Sequence, residues 1–195
     1  MTSISTPGSA TTLPGHYPLP AARMLAALRI AFGLTFLWAF FDKLLALGFH
    51  TGAITNEAGT RTGIDLFAED AAWINGGSPT EGYLSNVPEN NWLQGMWNDM
   101  AGQAWADWLF MIGLLGVGLT LTFGIGMRVG AIAGATMYAL MWFSSFPLDQ
   151  NPIIDDHLLG ALTLGVLALT YSGDTWGFGK QWARMPLVMH HPWLR

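Results

Sequence analysis

WLFMIGLLGVGLTLTFGIGM, residues 108–127, runs for twenty residues without a charge or a histidine. As a helix it reaches ~30 Å, the thickness of a bilayer's hydrocarbon core. A single cation, Arg128, separates it from VGAIAGATMYALMWFSSFPL, residues 129–148, which is equally long and equally uncharged. A link that short demands an antiparallel hairpin. Further along, residues 158–173 (LLGALTLGVLALTYSG) are again uncharged, and they reach a spanning length only if the acidic head Asp155, Asp156 and His157 enters the membrane. Toward the N-terminus, residues 22–49 are apolar apart from Arg23, Arg29, Asp42 and Lys43.

These four segments predict an all-α integral membrane protein, an antiparallel bundle of four transmembrane helices at about 22–49, 108–127, 129–147 and 152–173. Composition agrees, with 51% hydrophobic and only 11% charged residues in a chain of 195. The membrane domain spans 21–178. Residues 1–20, uncharged and rich in Ser, Thr, Pro and Gly, read as a disordered cytoplasmic tail, and 179–195 as a second cytoplasmic tail.

Charge sets the orientation. Arg23, Arg29, Arg128, Lys180, Arg184 and Arg195 fall on one side, which the positive-inside rule makes cytoplasmic. Lys43 and Arg61 lie opposite with every acid but Asp174. The expected location is the cytoplasmic membrane, multi-pass, with both termini inside and the lipid bilayer as surroundings. The chain has no cysteine, which excludes thiolate, disulfide and iron–sulfur chemistry within it. No nucleotide-binding glycine loop or nucleic-acid patch occurs, so no nucleic-acid partner is expected.

A long outer loop, residues 50–107, joins the first two helices and is expected to be partly helical. Within it Ser78, Pro79 and Glu81 form a capping box that starts a short helix. Trp92, Leu93, Met96, Trp97, Met100, Ala101, Ala104 and Trp105 recur at helical spacing, as an interfacial stripe or a packed one. Gly126, Gly130 and Gly134, four apart, make a seam for close helix packing.

Two ionisable groups of residues stand out. Asp42 and Lys43 lie about six residues, or ~9 Å, inside the outer end of the first helix, where charge is expensive and marks a site by default. In NPIIDDHLLG, residues 151–160, Asn151 is expected to cap the fourth helix with Pro152 at its first position, leaving Asp155 and Asp156 at the positive end of the helix dipole. His157, one step deeper, is not explained by capping. Topology carries both groups to one depth, so Lys43 is expected to reach Asp155 or Asp156, and Asp42 to accept from His157. Trp38, Phe40, Phe41, Trp142, Phe143 and Phe146 would surround them. Such a pocket suits the head of a quinone, with His157 or a carboxylate exchanging protons. A structural ion pair and a satisfied core histidine explain the same residues without chemistry. Haem is not expected, since His50, the other outer histidine, lies just past its helix; no metal set is expected either.

RIAFGLTFLWAFFDKLL (29–45), GSPTEGYL (77–84), WLFMIGLLGVGLTLTFGIGMRVGA (108–131) and NPIIDDHLLGALTLGVLALTYSGDTWGFGKQW (151–182), in this order, resemble the DoxX family and its DoxD relatives. These are small four-helix membrane proteins that include the membrane subunit of thiosulfate:quinone oxidoreductase. The resemblance implies a subunit of a respiratory or sulfur-linked redox complex passing electrons to quinone, beside a second protein subunit on the outer side. Lys43, Asn151, Pro152 and His157 fall on positions of the family's pattern. The competing class is a noncatalytic membrane scaffold or assembly partner.

Overall fold

The computed structural model describes residues 17–149 and 151–195. The protein is mostly helical, and its long helices are α1 (Leu19–Leu45), α4 (Ala104–Phe123), α5 (Met127–Ser144) and α6 (Asp156–Leu169), with the short α2 (Glu81–Leu84) and α3 (Gln94–Met100) between α1 and α4. Two of them, α1 and α4, are long and apolar enough to cross a membrane. Helix α1 packs on α4, α4 on α5 and α5 on α6, whereas α1 and α6 meet only sparsely.

Glycines set both the spacing and the direction of these pairs. A Cβ on Gly118 of α4 would lie 2.7 Å from the Leu37 side chain of α1, and Gly33 of α1 faces Thr122 of α4. The later position on one helix thus meets the earlier on the other, so the pair is antiparallel. Likewise Gly134 abuts Leu164 and Gly160 abuts Tyr138, each at 2.7 Å from an added Cβ, which makes α5 and α6 antiparallel. Of the predicted glycine seam, Gly130 and Gly134 serve packing, while Gly126 sits at φ 59° in the α4–α5 turn, where a left-handed backbone favours glycine. Between the helices lies one core of Phe36, Met111, Leu114, Val117, Leu121 and Leu164, extended by neighbours on α5 and α6.

At the end of the bundle that carries the N-terminus of α1, here called basal, the fully buried Arg29 holds three segments together. Its Nη1 donates to the carbonyls of Leu121 and Thr122, and its Nη2 to those of Thr175 and Trp176 at 3.2 and 3.0 Å. Only its Nε is left without a partner. The last turn of a helix leaves four carbonyls orphaned. Here Thr120 accepts from the Gly124 N–H (2.8 Å), Leu121 and Thr122 from Arg29, and Phe123 from the Phe178 N–H (2.8 Å). The cation also faces the negative end of the α4 dipole, which compensates its burial without a carboxylate.

At the opposite, apical end, the segment between α1 and α4 forms a cover. It contains the antiparallel pair β1 (Ala53–Thr55) and β2 (Arg61–Ile64), and a small core of Leu84, Val87 and Trp97. Buried polar side chains fasten it to the helix ends. Asp42 accepts from the N–H groups of Phe49, His50 and Thr51 (3.0, 2.8 and 3.3 Å), and Asp107 from the Thr80 N–H and the Ser78 and Thr80 hydroxyls. The Asn91 amide donates to the carbonyls of Phe143, Ser144 and Phe146 where α5 ends.

Several expectations are revised. The helices end earlier than predicted: α1 stops at Leu45 because Ala46 turns left-handed (φ 55°), and α4 starts four residues sooner, at Ala104. The expected cap of α6 at Asn151 is wrong. Asn151 Oδ1 accepts from the Ile153 and Ile154 N–H groups, making a turn, and the helix begins only at Asp156, with Asp155 as its cap. Ser78 does accept from the Glu81 N–H, but the helix it opens, α2, has four residues. The tryptophan stripe breaks at Gly102 (φ 72°), so Trp97 is buried in the cover while Trp92 and Trp105 face outward. Residues 179–195 contain the short helices α7 (Gly179–Ala183) and α8 (Pro186–His190). The expected disordered tail over 1–20 lies, as far as residue 16, outside the described residues; from Leu19 the chain is helical.

Replacing Arg29 by Ala strands the carbonyls of four residues. It is expected to cost on the order of 3 kcal/mol or more, seen as a lower midpoint of thermal unfolding in detergent, with Arg29→Lys recovering only part because an ammonium lacks the planar fork.

Candidate functional site

The α6 N-terminus builds the only histidine–carboxylate pair among the described residues. Asp155 adopts an extended backbone, which frees its carboxylate to fold back over the first turn. Its Oδ1 accepts from the Leu158 N–H at 3.0 Å and its Oδ2 pairs with His157 Nδ1 at 2.7 Å. An ionised carboxylate only accepts, so Nδ1 carries the proton and Nε2 is the free ring nitrogen. The pair is partly open, with 26% of the His157 and 20% of the Asp155 side chain exposed. Desolvation works to raise the Asp155 pKa. The Leu158 N–H and the hydrogen bond and charge of His157 outweigh it, and the carboxyl lies below its ordinary value.

The His157 ring stands edge-on to Tyr138 of α5, centroids 6.1 Å apart. Tyr138 in turn lines a groove of about 370 Å³ between α1 and α6, with Leu28, Phe32 and Thr35 on one wall and Asp156, Leu159 and Thr163 on the other. The groove exists because α1 and α6 scarcely touch and because Gly160 leaves room for the tyrosine ring. It is apolar along its walls and polar toward Asp156 and Tyr138, an arrangement suited to a flat apolar ligand with one polar end.

Of the residues proposed from sequence, Asp156 lines the groove, the Asp155–His157 pair stands next to it with His157 against Tyr138, and Asn151 shapes the turn that leads into them. Trp142 steadies the same turn, its Nε1 donating to the Ile153 carbonyl at 2.8 Å. Asp42 and Lys43 do not join them. Asp42 is fully buried and its oxygens are committed to the turn at residues 49–51. Lys43 lies over the Phe110 ring, 5.9 Å from its centroid, and pairs with neither Asp155 nor Asp156. The reason is the order of helices: α1 packs on α4 and meets α6 only sparsely. The expected aromatic surround divides as well, with Trp142 against Phe143 and Phe146 at the end of α5 but Trp38 of α1 against Phe49 of the apical cover. Tyr138 and the groove were not foreseen, because nothing in the sequence around Gly160 says which ring packs over it.

In comparisons with protein-family models, curated proteins and solved structures, no match to this chain was found.

Because the folded pKa of Asp155 lies below the unfolded one, its stabilising effect is complete above the ordinary carboxylate range and is lost as pH falls through the folded value. Asp155→Ala should cost about 1 kcal/mol, whereas Asp155→Asn should keep most of the cap but lose this acid sensitivity. Thermal unfolding in detergent from about pH 6 to about pH 3 checks both.

Proposed function

We propose that this chain is a DoxX/DoxD-like membrane subunit in which α1, α4, α5 and α6 all cross the bilayer and the α1–α6 groove receives the head of a quinone. The membrane reading is supported by the outward faces. Only 28% of the most apolar stretch of α1 and 39% of that of α4 is buried, unlike core helices of a soluble domain. Leu34, Ile112, Ile132, Leu162 and Leu169 are each more than half exposed, one or more on every long helix. In water that surface would be costly; in lipid it is ordinary. Arg29, in the first half of α1, bonds to residues 175–176, so the start of α1 and the segment after α6 share one end, and the cations there support a cytoplasmic assignment for it.

The observation that carries the redox reading is the 2.7 Å His157–Asp155 pair beside the groove. In the groove a quinone would supply a two-electron, two-proton acceptor, its electrons coming from a partner subunit at the apical end or through it from thiosulfate. His157, once its free Nε2 has taken up a proton, would deliver that proton, while Asp155 holds the proton at Nδ1 and stabilises the imidazolium. Asp156, exposed at the groove, relays protons from the aqueous side. A noncatalytic scaffold is the second reading. It is favoured by Asp42, Asp107 and Asn91, whose polar atoms all serve to fasten the apical cover.

Gentle purification with its partners, followed by thiosulfate-dependent quinone reduction, separates the two. His157→Ala is expected to lower quinol formation on the order of a hundredfold. Thr35→Trp, which fills the groove from its exposed wall, should abolish quinone retention. Full activity in a well-folded His157→Ala protein would leave only the scaffold.

A further inference from the structure

Residues 176–195 carry features that neither the bundle nor the groove requires. Trp176, Phe178, Leu187, Met189 and Trp193 are 54–60% exposed, and none of them belongs to a long helix. The segment is nevertheless held firmly. The Phe178 N–H donates to the Phe123 carbonyl at 2.8 Å, the Arg195 carbonyl accepts from the Arg128 N–H at 3.2 Å, and Trp182 Nε1 donates to the Leu194 carbonyl at 2.8 Å. Val188 is the buried residue of α8, so Leu187 and Met189 beside it point away from the body. The segment therefore lies across the basal ends of α4 and α5 as a fixed plate with an apolar rim.

Its charge is one-sided. Lys180 and Arg184 are exposed on the plate, and Arg23, Arg128 and Arg195 are close by in the chain's basal elements. The one acid there, Asp174, is already paired with Arg195 at 2.6 Å. The rim is also continuous with the lateral surface of the bundle: the Phe178 ring lies 6.3 Å from that of Phe123, which is itself exposed on α4. Exposed tryptophans and aliphatics beside unpaired cations, running unbroken into an apolar belt, are the composition of a chain seated at a membrane interface.

We infer that residues 176–195 are an interfacial anchor for anionic phospholipid, Lys180 and Arg184 meeting the headgroup phosphates while Trp176, Leu187, Met189 and Trp193 enter the acyl boundary. This rests on the membrane reading above and adds a lipid class and a binding surface to it. An acidic protein would satisfy the same cations, but it would not account for an apolar rim continuous with the lipid-facing belt.

Because the chain lacks cysteine, Leu187→Cys and Met189→Cys can each be labelled singly with a polarity-sensitive dye in the full-length protein. In vesicles of phosphatidylcholine with phosphatidylglycerol both dyes should emit as in an apolar medium. Native mass spectrometry of the purified chain should show phosphatidylglycerol retained over phosphatidylcholine, and Lys180→Ala/Arg184→Ala should weaken that preference roughly 25-fold, about fivefold per cation. Equal retention of the two lipids, or an unchanged preference in the double variant, overturns the anchor, and so does an acidic protein held by these cations in place of lipid. Carbonate extraction separates this from failure of the membrane reading. A chain that resists extraction but shows water-like emission at both positions disproves the anchor alone; a chain that is extracted disproves both.

Discussion

A helix end hidden from water must find partners for its unpaired backbone groups, and Arg29 meets that need at the basal end of this protein. One guanidinium, reaching from the first helix, closes the carbonyls of α4 and of the segment after α6. Because its donors point to backbone, the interaction fixes helix positions without depending on a second side chain. The glycines beside it follow from the same demand. A Cβ on Gly124 or Gly177 would come within 3.0 Å of the guanidinium, so the chain is bare where the fork must pass.

The apical end solves the same problem by different chemistry. Carboxylates and an amide at Asp42, Asp107 and Asn91 take up N–H, O–H and carbonyl groups of the cover and of α5. Most of the polar side chains that look out of place in so apolar a chain are thus explained by helix termini. His157 is not. Its partner Asp155 is already a sufficient cap through Leu158, and the imidazole adds nothing that the helix end lacks. A half-buried imidazole beside the tyrosine that lines the groove is what remains once the termini are accounted for.

Helical structure over the four apolar stretches was legible from the sequence, because apolar runs of sixteen residues or more are too long for strands. The antiparallel α4–α5 hairpin was equally legible from its short link. Pairing between distant helices was not. Lys43 and His157 were placed together on depth alone, and depth says nothing about position around the bundle; α4 lies beside the outer half of α1 and takes Lys43 with it. Capping was misjudged for a related reason. Asn151 and Pro152 carry the residue types of a helix start, yet an Asx turn competes for the same side chain, and the stronger cap at Asp155 lies four residues on. Nothing local in the sequence marks the role of Arg29, since its carbonyl partners come from segments some ninety and one hundred and forty-six residues away.

The late start of α6 also bears on the lipid around it. Fourteen residues give a helix of ~21 Å, well short of a ~30 Å hydrocarbon core. In the membrane reading proposed here, such hydrophobic mismatch is relieved by thinning the bilayer locally. The polar turn at residues 151–155 then sits in a dimple, and water stands nearer to His157 than the depth of its neighbours would suggest. Proton supply to the groove and the shortness of one helix would have a single cause.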